Sequence, residues 1–185
     1  MVAFVVLGAL VTVGALRQLD QSVLEVFVSI NNPVLDLVAS VFGALGRAEV
    51  CGGIALGLAV ARWRRGLADA WVPLLVVVVT LIEIAVKTAV PQAPPPEELS
   101  RSDEVVPLLR VTFAGAFPSG HVARLAFLAG IARIPTWLAA LAVALMMVSR
   151  VYLGDHWISD VFGGLFLGLL VAQVARVAER RLRRH

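Results

Sequence analysis

Ser149-Arg150-Val151-Tyr152-Leu153-Gly154-Asp155-His156-Trp157-Ile158-Ser159-Asp160 places an arginine, a histidine and an aspartate between two strongly apolar segments. Charged groups are expensive at membrane depth, so where they occur they point to function. If a helix begins within Trp157 to Asp160, His156 and Asp160 are four apart and share one face. A carboxylate there holds one imidazole nitrogen and leaves the other free to attack an electrophile or accept a proton. Arg150 offers a planar, permanently charged fork that matches phosphate oxygens. The same residues also suit a capped helix start with an interfacial ion pair, and this stretch alone does not choose.

A second polar stretch, Pro118-Ser119-Gly120-His121, reads as another helix start. Ser119 is a good N-cap, and Gly120 lets a ligand approach the backbone closely. Free N–H groups and the positive dipole end make such a start an anion site. By itself it is also what an ordinary capped membrane helix looks like.

The elements that must position these residues are helices in a membrane. The chain has 185 residues, 59% of them hydrophobic, and a mean hydropathy of +0.89. Soluble domains are nearer 45–50% apolar, so the expectation is an all-α polytopic membrane protein. The single Cys51 excludes an internal disulfide. Three histidines and no cluster with metal-ligand spacing argue against a zinc or dimetal site, and no cofactor is implied. The pI near 10.0 would suit nucleic acid, but the arginines concentrate in short loops and the tail. That pattern reads as membrane topology, with lipids as the surroundings and no nucleic-acid partner.

Six spans are expected: 2–16, 49–61, 71–90, 119–133, 136–148 and 157–174. Between the first two, Asp20 to Ile30 reads as an amphipathic helix lying in the interface, stopped by Asn31-Asn32-Pro33. Val34 to Leu45 is a further apolar helical piece, with Gly43 and Gly46 flanking a break. The third span carries Glu83 and Lys87 four apart, and Gly163, Gly164 and Gly168 let the last helix pack closely. Residues 91–117 form the one long polar loop, and 175–185 a basic tail. Trp63, Trp71, Trp137 and Trp157 fall near helix ends, as an interfacial belt would.

Six spans put both termini on one side. That side collects the arginines from Arg62 to Arg65, Arg133, and those from Arg176 to Arg184. The other holds Arg17, Arg47, Lys87, Arg101, Arg110 and Arg150. Both termini are therefore expected in the cytoplasm, the 91–117 loop outside, and the whole of 1–185 as a single domain of the cell membrane. Lys87, His121, Arg150, His156 and Asp160 then meet at one level on the outer face.

With these motifs the chain resembles the type-2 phosphatidic acid phosphatase superfamily of integral-membrane lipid phosphatases. That family shows a Lys followed after six residues by Arg-Pro, then Pro-Ser-Gly-His, then Ser-Arg, five residues, His, three residues, Asp. Pro118 to His121 matches the second motif, and Ser149-Arg150, His156 and Asp160 match the third with every spacing kept. The first motif keeps Lys87 and Pro95 but has Pro94 where the family has arginine, so one phosphate-binding guanidinium is missing. Arg101 and Arg110 in the same loop are candidate substitutes, as is Arg124, one turn deeper than His121. For Arg124 the competing reading, favoured because buried charges are normally paired, is an ion pair with Glu83.

The resemblance implies metal-independent hydrolysis of a lipid phosphate or pyrophosphate at the outer membrane face. Polyprenyl pyrophosphate, phosphatidic acid and phosphatidylglycerophosphate all fit as substrates. It assigns His156 as the nucleophile that becomes a phosphohistidine, Asp160 as its orienting partner and His121 as general acid. Lys87, Ser119, Gly120 and Arg150 would hold the phosphate oxygens. A lipid phosphotransferase and a non-catalytic lipid-phosphate-binding protein are the alternatives. The second draws on the missing arginine, although a protein that only binds has no need of nucleophile, orienting acid and proton donor together.

Overall fold

The computed structural model describes residues 1–102 and 115–182, and its described residues are helical with no strand. Eight α-helices run in order: α1 Val2–Thr12, α2 Arg17–Val28, α3 Pro33–Ala44, α4 Ala48–Arg64, α5 Val76–Ala89, α6 Gly120–Ile131, α7 Thr136–Tyr152 and α8 Ile158–Leu182. A 3-10 turn, Val72–Leu75, leads into α5, and a second, Glu97–Leu99, lies in the loop after it.

Two stretches, Val72–Ala89 and Ile158–Arg181, are long and apolar enough to cross a membrane unaided. The α1–α2 and α3–α4 pairs reach that length only with bends of 91° and 49°. α6 and α7 are shorter apolar helices, and α6, at 12 residues, is below the roughly 20 that a bilayer core asks for. Helix length therefore does not yield the six straight spans expected. The chain turns by 91° between α1 and α2, and α2 covers Arg17–Val28, where the sequence predicts an amphipathic helix over 20–30. The break between α3 and α4 falls at Gly46, also as expected. α8 runs unbroken to Leu182, so the basic segment from 175 continues the last helix.

α6 is the central helix. Eight of its 12 residues are buried and none is exposed, and it packs most extensively on α8, then on α7 and α5. Glycines permit the α6–α8 contact: a Cβ at Gly164 would overlap the Ser119 carbonyl, and one at Gly168 the Ala123 carbonyl. Backbones that close gain dispersion contact where lipid offers no hydrophobic driving force. One core cluster joins Val76 and Val79 of α5 to Phe127 and Ile131 of α6 and Leu167 of α8. Another joins Val122, Met146, Val151 and Val161 across α6, α7 and α8. Outward-facing residues such as Val77, Leu81, Leu141, Leu145, Leu169 and Val174 are exposed, which suits a surface solvated by lipid. The chain is an integral membrane protein.

Candidate active site

The starts of α6 and α8 and the ends of α5 and α7 meet at one end of the bundle, and this brings the motif residues together. Helix α8 begins under two carboxylates. Asp160 Oδ2 accepts the Trp157 N–H at 3.0 Å, while Asp20 of α2 accepts the Ser159 N–H at 2.9 Å and its hydroxyl at 2.8 Å. These satisfy donors that a helix start leaves open, in the field that favours negative charge there. Asp160 Oδ2 also lies 3.2 Å from His156 Nδ1, so the pairing expected from their spacing is present.

The Ser119 N–H donates to the Asp160 carbonyl at 2.9 Å, tying the start of α6 to that of α8. His121, the second residue of α6, lies within electrostatic reach of Arg150, Arg124, His156 and Lys87. Arg150, buried at the end of α7, pairs with Asp155 at 2.9 Å. Asp155 is steadied by the hydroxyls of Ser100 and Ser102. Lys87 donates to the Gly115 and Ala116 carbonyls at 3.3 and 3.2 Å, and faces Glu83 at 3.9 Å and the field of Asp160.

Glycines again decide how closely these groups approach. A Cβ at Gly43 would overlap the Arg150 guanidinium, and one at Gly46 would come within 2.8 Å of the His121 Cβ. The break between α3 and α4 therefore cradles two of the site residues. At Gly120 the space a Cβ would need is taken by the Glu83 carboxylate. The Glu83 carboxylate is therefore one reason the chain has glycine at this position. Ser119 stands at the N-cap position of α6 but makes no capping bond; its hydroxyl is buried and has no partner among the described residues. Arg150 Nε and Asp160 Oδ1 are in the same condition. Buried polar atoms are nearly always satisfied, so two unspent donors around a His–Asp pair suit an oxyanion ligand.

The candidate substitute cations separate clearly. Arg124 pairs with Glu83 at 2.5 Å and donates to the Gly46 carbonyl at 3.1 Å, which is the ion-pair alternative. Arg101 is largely engaged by protein groups, while its buried Nε has no partner among the described residues. Its fork donates to the Ile30 and Tyr152 carbonyls at 2.7 and 2.6 Å, and the guanidinium sits 4.6 Å from the Tyr152 ring centroid. Arg110 lies outside the described residues. Pro94 instead lines a cavity of ≈ 250 Å³ with Arg17, Asp20, Gln92 and Trp157. Arg17 is exposed, and its guanidinium has no partner among the described residues.

Sequence reasoning did not single out Asp20, Asp155 or Arg17. An acid interrupting apolar sequence was the available signal for Asp20, but it was absorbed into the amphipathic reading of α2. Asp155 sits one residue from His156 and needed the fold to show what it holds.

Residues 69–184 match the PAP2 superfamily, and the chain belongs to that family. Among curated proteins it is similar to phosphatidylglycerophosphatase B of Bacillus subtilis (strain 168), 32% identical over 84 residues. That match takes in 37% of this chain and spans 41% of the relative's length. Among solved structures it resembles a transmembrane PAP2-type phosphatidylglycerolphosphate phosphatase from Bacillus subtilis, with a TM-score of 0.77 and 23% identity over 97% of this chain and 94% of that one. It also resembles Aquifex aeolicus LpxE, with a TM-score of 0.67 and 23% identity over 86% and 95% of the two chains. The two structural likenesses show the shared fold.

Proposed function

We propose that this protein removes a phosphate group from a lipid by two displacements at His156. The observation that carries the reading is the pair of unspent buried donors, Ser119 Oγ and Arg150 Nε, beside a histidine whose Nδ1 is held by Asp160. With Nδ1 engaged, Nε2 is left to attack phosphorus. The bond to the lipid oxygen breaks, and His121 delivers the proton that the leaving alkoxide needs. In the second step His121 takes a proton from water, the hydroxide attacks phosphorus, and the P–N bond breaks to release orthophosphate. Lys87, Arg150, Ser119 and the start of α6 stabilise the oxygen charge that grows in both steps. No step draws on a metal, and among the described residues no three His, Cys, Asp or Glu side chains converge as a metal site would need.

Phosphatidylglycerophosphate is the first substrate to test, since the curated relative is named for it. Polyprenyl pyrophosphate and phosphatidic acid carry the same reacting group. In this reading Arg17, across the cavity from Pro94, supplies the cation that the first motif lacks. The reading also includes six crossings of the cell membrane, with broken and short helices completing the set. Both termini are then cytoplasmic and the site extracytoplasmic. Exposed charge supports that orientation: Arg64, Arg65, Arg176, Arg180 and Arg181 are exposed at the opposite end, while Lys87, Arg101 and Arg150 at the site end are engaged.

The test is phosphate release by the purified protein with chelator present, across a panel of lipid phosphates, with His156→Ala as the blank. Release that the variant abolishes and the chelator leaves intact supports the reading. Release that disappears with chelator overturns it.

A further inference from the structure

At the end of the bundle farthest from His156, the end of α6 and the last turns of α8 enclose a second cavity. It has a volume of ≈ 340 Å³ and is lined by Gly130, Ile131, Arg133, Arg176, Glu179 and Arg180. Arg176 lies about 27 Å along α8 from Ile158, so this recess is separate from the active site.

A buried ion cluster adjoins it through Glu179 and Arg133. Arg62 of α4 donates to Glu179 at 2.6 Å and to the Ile131 carbonyl at 2.9 Å, and lies 3.8 Å from Asp69. Arg133 reaches the same Asp69 carboxylate at 2.9 Å. It does so from a left-handed backbone, φ 52°, which costs a residue with a side chain about 1 kcal/mol. These two arginines match the two acids. Arg176 and Arg180 have no ionic or hydrogen-bond partner among the described residues, although they stand four apart on one helix face, where like charges repel. The cluster and its rim thus hold four arginines against two carboxylates.

The level of the recess argues for what fills it. Trp63 at the end of α4, Trp71 before the 3-10 turn and Trp137 at the start of α7 are all exposed at this end. Exposed tryptophans at helix ends mark headgroup depth. A cationic recess between helices at that depth fits the phosphate of a charged headgroup, drawn there by the excess of positive charge.

We infer that this recess binds the phosphate of an anionic phospholipid headgroup from the leaflet opposite the active site. Arg176 and Arg180 are its principal ligands, and Arg133 stands at the rim. Phosphatidylserine titrated onto the purified full-length protein, with phosphatidylcholine as the reference, is followed by native mass spectrometry. Arg176→Gln/Arg180→Gln is expected to bind phosphatidylserine about 30-fold more weakly, which is about 2 kcal/mol at about 1 kcal/mol per arginine. Arg176→Lys/Arg180→Lys keeps the charge and is expected to keep most of the affinity; it decides the matter if the glutamine variant melts early in phosphatidylcholine. Unchanged affinity in a glutamine variant with normal melting, or loss in the lysine variant equal to that in the glutamine variant, overturns the inference. Full competition by millimolar inorganic phosphate would make free phosphate the occupant and overturn the lipid assignment.

Discussion

Removing Arg124 tests whether the cations near His121 are ligands or scaffold. Its guanidinium is buried against Glu83 at 2.5 Å and the Gly46 carbonyl at 3.1 Å. Arg124→Met leaves the Glu83 carboxylate with Lys87 at 3.9 Å as its remaining charged partner, and breaking one side of a buried pair costs about 3–5 kcal/mol. Glu83→Gln leaves Arg124 and Lys87 as neighbouring cations without the anion between them, at a similar cost. If the two residues act as a pair, the double variant loses little more than either single one. The coupling is then about 3–5 kcal/mol in magnitude, above the roughly 0.5–3 that most contacting residues show. Thermal unfolding in detergent, followed by tryptophan fluorescence, reads this out. For a chain of this length each kcal/mol shifts Tm by roughly 2–4 °C, so each single variant is expected to melt roughly 10 °C low. Substrate KM measured well below that temperature is expected to change less than about threefold. If Arg124→Met melts normally but raises KM tenfold or more, Arg124 is a phosphate ligand and the scaffold reasoning is refuted.

Asp160→Asn keeps an acceptor for the Trp157 N–H but withdraws the carboxylate from His156; kcat is expected to fall by about three to four powers of ten, as for other orienting aspartates, with little change in melting. Asp155→Ala removes the partner that holds Arg150 at 2.9 Å and is expected to raise KM about tenfold, the loss of one well-placed charge-assisted bond. Asp20→Ala strips both bonds to Ser159 at the start of α8. A stability loss of about 1–2 kcal/mol is expected in the same melting assay, with Asp20→Asn recovering most of it. Arg17→Ala is expected to raise KM for the lipid phosphate about tenfold, given one charge-assisted contact, while kcat holds.

The residues that meet in the site were legible because their spacing is local. His156 and Asp160 are four apart, and the N-terminal turn of α8 places them together whatever the rest of the bundle does. Arg124 and Glu83 were legible as a pair because each lies one turn deeper than a motif residue, and burial leaves charges few alternatives. What escaped was set by long-range contact. Asp20 looked like the polar face of an interfacial helix, yet it caps α8, 139 positions later in the chain. Arg101 looked available because it lies in a polar loop, but its fork donates to the Ile30 carbonyl just after α2 and to the Tyr152 carbonyl at the end of α7. At Gly120 the sequence did not show that the Glu83 carboxylate fills the space a side chain would need. Helix lengths misled for a related reason: apolar runs show where chain is buried, but not how sharply it bends between α1 and α2 or how deep α6 reaches. The charge count treated Arg62 as a loop charge, whereas it is buried against Glu179.

The proposal's central claim is that phosphorus passes through His156, and the stereochemistry at phosphorus tests it most directly. The substrate is a lipid thiophosphate made chiral with oxygen isotopes, hydrolysed to completion by the purified protein. Two in-line displacements, first by His156 and then by water, each invert the centre, so the account predicts overall retention. Net inversion would mean a single direct attack by water and would contradict a phosphohistidine intermediate.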